Sequence, residues 1–450
     1  MKTNHTQTTN SIEVIARQTA MPFYCLIAAI AMVTSLLTSH RIEAAAGDLD
    51  PRFGNGGVAF TDFSQTTELA YSVTVQADGK IVLCGQSGVS PNLHSALARY
   101  NRSGRLDSTF GTGGKVTVTF NSVSDYLYAA AIQSDGKIVA AGSSATSFLL
   151  ARFNADGSLD QAFGTNGSVE TTFGDQNAEA RGIVIQPDGK IVAVGVSGAG
   201  SYSELNDFVL ARYNSDGSLD QTFGTAGKVK THFPGVDNTG SSATSVALQA
   251  DGKLVVGGYR KQSDRTPHEF ALARYNSNGA LDSAFGQAGK AMTRVGLGDA
   301  YSFGITLQSS GRIVLAGYSS TSLDHDFTLV GYTANGTLDS TFGTGGIVTT
   351  DFSGGTDDIA YAMTRQSDSK LVVAGRTGEY PENDFAVARY SSNGQLDQTF
   401  GVGGKVVSDF SSIDEAFGVA VQSNGRIVVA GIAFPNGANL DFTVARYLGR

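Results

Sequence analysis

The motif Leu-Asp-x-x-Phe-Gly-x-x-Gly occurs seven times in this chain, beginning at Leu49, Leu106, Leu159, Leu219, Leu281, Leu338 and Leu396. Self-similarity with a period of about 57 residues marks a repeat architecture, in which one small unit is stacked on its own copies. It therefore outranks the two or three ordinary domains that the chain length alone suggests.

Each motif is followed by a short alternating segment such as Lys115-Val-Thr-Val-Thr-Phe120. Then comes an apolar run ending in Gln, an Asp-Gly-Lys or variant, and a second apolar run ending in Gly. Ala129 to Gly142 holds the whole of this middle part. A last run, as in Phe208-Val-Leu-Ala-Arg-Tyr213, leads back to the next Leu-Asp. Asp-Gly between two apolar runs is a strong hairpin signal, because both residues tolerate positive φ. The runs are too continuously apolar for a one-sided sheet and fit strands buried on both faces. Four-stranded sheets packed around an axis supply that burial and leave only short edges. An all-β, seven-bladed β-propeller is expected, with a β-solenoid as the alternative. Composition agrees: 56 Gly against 8 Pro, without a collagen period, is what many tight turns require.

The phase of the repeat predicts how the ring closes. If the run ending in Gln is the innermost strand A, then Gly57–Phe63 is a D strand with no blade of its own. The last unit has A (Ala416–Gln422), B (Arg426–Gly431) and C (Asp441–Tyr447) but no D. Pairing the surplus strand with the incomplete blade removes two exposed edges.

The strings Gln-x-Asp-Gly-Lys-Ile-Val, Ala-Arg-Tyr-Asn-x-Asp-Gly-Ser-Leu-Asp and Phe-Gly-x-x-Gly resemble the delta-60 repeat of bacterial exported proteins, over Leu49 to Arg450. The resemblance implies a β-propeller-like fold and export, and no activity. The chain departs from the pattern at Gly331, where the Arg of the last run is missing, and in the turns Ser309-Ser310-Gly311 and Asp368-Ser369-Lys370.

Residues 1–46 read as an export signal. Lys2 and Arg17 precede an apolar run from Met21 to Leu37, and Ala44-Ala45-Ala46 is a small-residue cleavage pattern. Residues 47–450 then form one domain in the periplasm, the envelope or the extracellular space. Left uncleaved, the segment would be a membrane anchor. Cys25 lies in that run, so Cys84 is alone in the mature chain and reads as a small buried apolar residue. The formal charge of −9 excludes the basic face that a nucleic acid partner needs. A monomer is expected.

Two recurring polar residues read as structural. Arg99, Arg152, Arg212, Arg274, Arg389 and Arg446 face a neighbouring blade, with the Asp of Leu-Asp as partner. Gln76, Gln133, Gln186, Gln249, Gln308, Gln366 and Gln422 satisfy backbone groups at the end of strand A. No catalytic motif survives inspection. Gly113-Gly114-Lys115 is followed by Val116 where a phosphate loop needs Ser or Thr, and Ser197 lacks the Gly of a nucleophile elbow. His268 and His325 share a register in consecutive units, which reads as chance loop placement or a shared ligand site. The absence of Trp weakens sugar stacking, although Tyr can substitute.

The B–C and D–A loops share one face and are long and dissimilar, as in Ser197–Asp207, Arg260–Glu269 and Thr377–Asp384. Function gathers on such loops. The expected role is a non-catalytic binding or scaffold module for a protein, a polysaccharide or a cation on that face. The alternative is a hydrolase or lyase using loop carboxylates. The candidate site is an acidic ring at the channel mouth. Glu68, Asp125, Asp358 and Asp414 each precede the repeated Gln by eight residues, with Glu179 and Asp299 within one residue of that register. Carboxylates around an axis raise one another's pKa unless a cation offsets them, and Ca²⁺ is the expected ion. The competing expectation is that each carboxylate caps backbone N–H groups where strand A begins.

Overall fold

The computed structural model describes residues 44–64, 67–120, 124–198, 206–234, 240–261, 266–320, 324–435, 437 and 439–450. The expected export segment lies outside them except for its last three residues, as do Cys25 and the middles of the loops 197–207 and 260–269. Among the described residues no helix is long and apolar enough to cross a membrane.

Among the described residues twenty-eight strands, β1 to β28 in chain order, form seven antiparallel four-stranded sheets. In the first blade β2 (Thr67–Val75), β3 (Ile81–Val89), β4 (Asn92–Tyr100) and β5 (Lys115–Val118) are strands A to D. The other A strands are β6 (Asp125–Ile132), β10 (Asn177–Ile185), β14 (Ser241–Leu248), β18 (Ala300–Leu307), β22 (Asp358–Arg365) and β26 (Glu415–Val421). Each packs on its neighbours, β2 on β6 and so on round to β26 on β2, which places the A strands about the axis of a seven-bladed β-propeller. The solenoid alternative is thereby set aside. The N-terminal strand β1 (Val58–Thr61) pairs with β28 (Asp441–Tyr447), from Val58 opposite Ala445 to Thr61 opposite Phe442.

Among the described residues the core is divided into seven apolar clusters, one in each gap between blades. Strands B and C are buried on both faces, which is why their runs are continuously apolar.

The repeated motif is an inter-blade clamp. Arg99 Nε donates to Asp107 Oδ2 at 2.9 Å, and its guanidinium lies 4.5 Å over the Phe110 ring. Its other arm reaches the Ala155 carbonyl in the next blade. A second cation, Lys80, sits 3.0 Å from the same Asp107 oxygen. The buried charge thus has a carboxylate, a ring face and a carbonyl, which is what makes its burial tolerable. The unit lacking the Arg shows the rule by substitution. Arg312, from the Asp-Gly-Lys position, takes Asp339 at 2.7 Å, and a Cβ on Gly331 would meet the Phe342 ring at 2.6 Å. The last clamp joins the two ends of the domain, Arg446 to Asp50 at 2.9 Å. Four of the repeated Gln bind backbone of the adjoining blade, as where Gln366 Nε2 donates to the Gly425 carbonyl and Gln422 Nε2 to that of Gly79.

Candidate functional site: the axial channel

Every A strand carries one extra residue relative to strand B. The register slips at Tyr71, Tyr128, Arg181, Thr244, Phe303, Tyr361 and Phe417, each five residues before the repeated Gln. A β-bulge leaves its extra residue out of the ladder and re-aims the side chain. The cause lies in strand B, in the Gly that closes its run. A Cβ on Gly85, Gly142, Gly195, Gly258, Gly317, Gly375 or Gly431 would meet a strand-A carbonyl oxygen at 1.7–2.0 Å. Only Gly lets the two backbones approach closely enough for the bulge.

All seven bulge side chains line one cavity of about 880 Å³ on the axis. Five are aromatic, so the bulges make a belt. Tyr128, Tyr71, Phe417, Tyr361 and Phe303 follow one another with ring centroids 5.1, 5.8, 4.9 and 5.8 Å apart. Two residues further along each strand, Val73, Ala130, Ile183, Val246, Ile305, Met363 and Val419 form an aliphatic tier of the same cavity. The residue between the tiers is Ser, Ala or Gly throughout, because adjacent A strands nearly touch there: a Cβ on Gly418 would meet Val73 N at 2.9 Å.

Charge in the channel is paired. Arg181 Nη2 lies 3.0 Å from Glu179 Oε2, and Nη1 donates to Ser242 Oγ at 3.2 Å. Burial opposes the Arg181 charge, but Tyr259 and Glu179 outweigh it and hold its pKa above the ordinary value. Burial, helped by Glu415, pushes the Tyr361 phenol up to about 12, so it stays protonated. Gln86, 3% exposed, also lines the cavity, and its Oε1 has no hydrogen-bond partner.

The six carboxylates of the expected ring start their A strands, but of the six only Glu179 lines the channel. Four turn onto the loop that delivers them. Glu68 accepts from Phe63 N at 2.7 Å, Asp125 from Phe120 N at 2.7 Å, Asp358 from Phe352 N at 2.6 Å and Asp414 from Phe410 N at 2.5 Å. Asp299 accepts from His268 N at 2.7 Å and lies 2.9 Å from its Nδ1. Glu68, Asp358 and Asp414 meet other carboxylates instead of one another. The groups are Asp62–Glu68–Asp441, Asp326–Asp351–Asp358 and Asp384–Asp409–Asp414, each with ligand atoms within 4.8 Å. They occupy three consecutive blade junctions. Burial first, then Asp351 and Asp326, pushes Asp358 up to about 6; burial first, with Asp384 adding, does the same to Asp414. Burial and Asp62 raise Asp441 to about 6.

His268 and His325 occupy equivalent places but separate sites. Each faces a carboxylate at the start of the next blade, Asp299 at 2.9 Å and Asp357 at 2.5 Å. The belt was open to sequence reasoning through one signal, the aromatic residue five before Gln in five of seven units. The bulge that gives it meaning was not.

The family profile described as domain of unknown function (DUF5122) beta-propeller matches seven segments, 76–110, 133–163, 186–223, 249–285, 308–342, 366–400 and 422–449. These cover more than half of the chain and coincide with the repeats. No curated protein matches the sequence. Among solved structures, the polysaccharide lyase Uly1 superposes with a TM-score of 0.51 at 13% identity, over 93% of this chain and 95% of that one. A protein of unknown function from Dyadobacter fermentans gives 0.47 at 10% identity, over 89% and 100%. Sqt1 of Chaetomium thermophilum, bound to the N-terminus of ribosomal protein L10, gives 0.48 at 10% identity, over 87% and 99%. At such identities the likeness is one of fold alone. With its seven matched repeats, the chain belongs to the DUF5122 beta-propeller family.

Proposed function

We propose that this protein is an exported, non-catalytic binding module whose ligand enters the axial channel from the face of the B–C and D–A loops. One observation carries the reading: seven bulges aim seven side chains into one cavity, and five of the seven are aromatic. A belt of rings there leaves apolar surface in contact with solvent, which a ligand would cover. The entry face follows from the same strands, since Tyr126 and Glu179 line the cavity at the D–A end of β6 and β10.

The enzymatic alternative rests on loop carboxylates, and the two candidate-ring carboxylates pushed up to about 6, Asp358 and Asp414, are buried. Asp358 and Asp414 are 0% exposed and bound to loop amides, so a substrate has no access to them. The binding reading is preferred for that reason.

The test compares capture from native envelope fractions by the full chain and by a variant combining Tyr71→Ala, Tyr361→Ala and Phe417→Ala. A component held by the parent and released by an equally folded variant is expected. Identical capture by both would remove the channel from the reading.

A second reading concerns the cation. The three carboxylate groups at consecutive junctions, and not a six-membered ring, are the places where Ca²⁺ would bind. Titration with millimolar Ca²⁺ should raise the melting temperature. No heat of binding and no change in melting would leave these carboxylates as loop anchors.

A further inference from the structure

We propose that the channel ligand is a neutral saccharide, its flat ring faces laid against the aromatic belt and its hydroxyls bound by the polar residues set among the rings. The inference rests on the binding reading above and adds the chemical class.

The belt requires a ligand with apolar faces. Tyr71, Phe417, Tyr361 and Phe303 run as a continuous arc, with neighbouring centroids 4.9 to 5.8 Å apart. Ring faces of this kind attract flat C–H surfaces. A wholly apolar ligand does not fit the remainder of the wall. Gln86 is buried and lines the cavity, and its Oε1 has no partner within the protein. That acceptor calls for a hydroxyl donor, because a buried acceptor left unpaired is unfavourable.

The charge pattern then chooses among polar ligands. Arg181, the belt's one cation, is matched by Glu179 at 3.0 Å. Behind Tyr361, Arg376 lies 3.7 Å from Glu415 and 3.8 Å from Asp357. An anionic ligand would have to displace Glu179 before it met a free guanidinium. A vicinal pair of hydroxyls needs no displacement, since each hydroxyl both donates and accepts and finds a carboxylate and a guanidinium side by side. The cavity's size, about 880 Å³, suits a short stretch of sugar units and not a folded partner. The aliphatic tier of Val73, Ile183, Ile305 and Met363 beneath the belt offers no hydrogen bond, so the polar contacts fall at the level of the rings.

The experiment probes the full chain with a printed array of neutral and uronate-bearing oligosaccharides, and in parallel with the uncharged apolar dye Nile red. Retained sugars are then measured by calorimetry. Retention of neutral oligosaccharides is expected, with Phe417→Ala and Tyr361→Ala each weakening binding about tenfold, as loss of a stacked ring does. Gln86→Leu removes the free acceptor while leaving the belt intact, and keeps the test valid if a ring deletion unfolds the domain. It should weaken the sugar and not the dye. Preference for uronates, or sugar binding untouched by all three variants, overturns the proposal. An array without binders, beside a dye displaced by the belt variants, overturns the saccharide and leaves the channel as a binding site. Failure of both probes overturns the binding reading as well.

Discussion

Asp50→Ala should destabilise the domain strongly, because it breaks the clamp that joins the first repeat motif to the last strand. Asp50 is 1% exposed, and its Oδ2 lies 2.9 Å from Arg446 Nη2 and 2.6 Å from Arg426 Nε. Burial works against its charge, but the Arg52 amide, Arg446 and Arg426 outweigh it and keep the carboxyl below the usual range. Removing the carboxylate strands the buried Arg446, and breaking such a pair costs about 3–5 kcal/mol. Arg426 is partly exposed and adds little. An unfolding entropy of ~2.1 cal/mol/K per residue over Ala45–Arg450 gives roughly 0.85 kcal/mol/K, so the melting temperature should fall by about 4–6 °C. The internal control is Asp107→Ala, which removes the same clamp from Arg99 eight residues away, whereas the Asp50 clamp spans 396 residues. In a closed ring the two positions are equivalent, and differential scanning calorimetry should show similar losses. An Asp50→Ala protein melting within about a degree of the parent, beside an Asp107→Ala protein that loses the full amount, would refute closure by this strand.

Gly375→Ala places a Cβ 1.9 Å from the Ile359 carbonyl oxygen, so β22 must move off its partner; a loss of about 1–3 kcal/mol in urea unfolding is expected, together with loss of any ligand that touches Tyr361. An unchanged midpoint would mean the bulge does not need this Gly. The pH dependence has a definite sign. Asp358, Asp414 and Asp441 have folded pKa values near 6 against an ordinary 3.8, so their contribution is complete below the ordinary value and lost as pH rises through 6. The clamp carboxylates Asp50, Asp160 and Asp282 are shifted down, and theirs is lost only as pH falls below the ordinary range. The parent should therefore melt higher at about pH 5 than at about pH 7.5, and Asp358→Asn should narrow the gap; equal melting at the two values would contradict the carboxylate groups as described. Burial pushes the Cys84 thiol up to about 12, so mass mapping after maleimide treatment should find its peptide unlabelled until denaturant is added. Labelling of the native protein would show that β3 opens.

What could be known from the chain alone was whatever depends on neighbours in sequence. The motif at seven starts set the number of blades. Hairpin turns set strand order, since Asp-Gly brings its own flanking strands together. The clamp was legible because Arg99 and Asp107 are eight residues apart and recur together, and the unpaired D strand near Val58 was legible by counting. The carboxylates were legible as a register and not as a site. Their common distance from Gln placed them at one level of the fold, but Asp125 and Asp358 turn toward Phe120 N and Phe352 N of their own loops. That direction is decided by which amides the loop leaves open, and no spacing encodes it. Only the assembled fold could decide the channel. A bulge adds one residue to one strand of a pair, so it appears only when β2 is laid against β3 and Gly85 is found under the Leu69 carbonyl. The belt is assembled from seven units, as many as 346 residues apart between Tyr71 and Phe417, and ring closure alone brings them onto one axis.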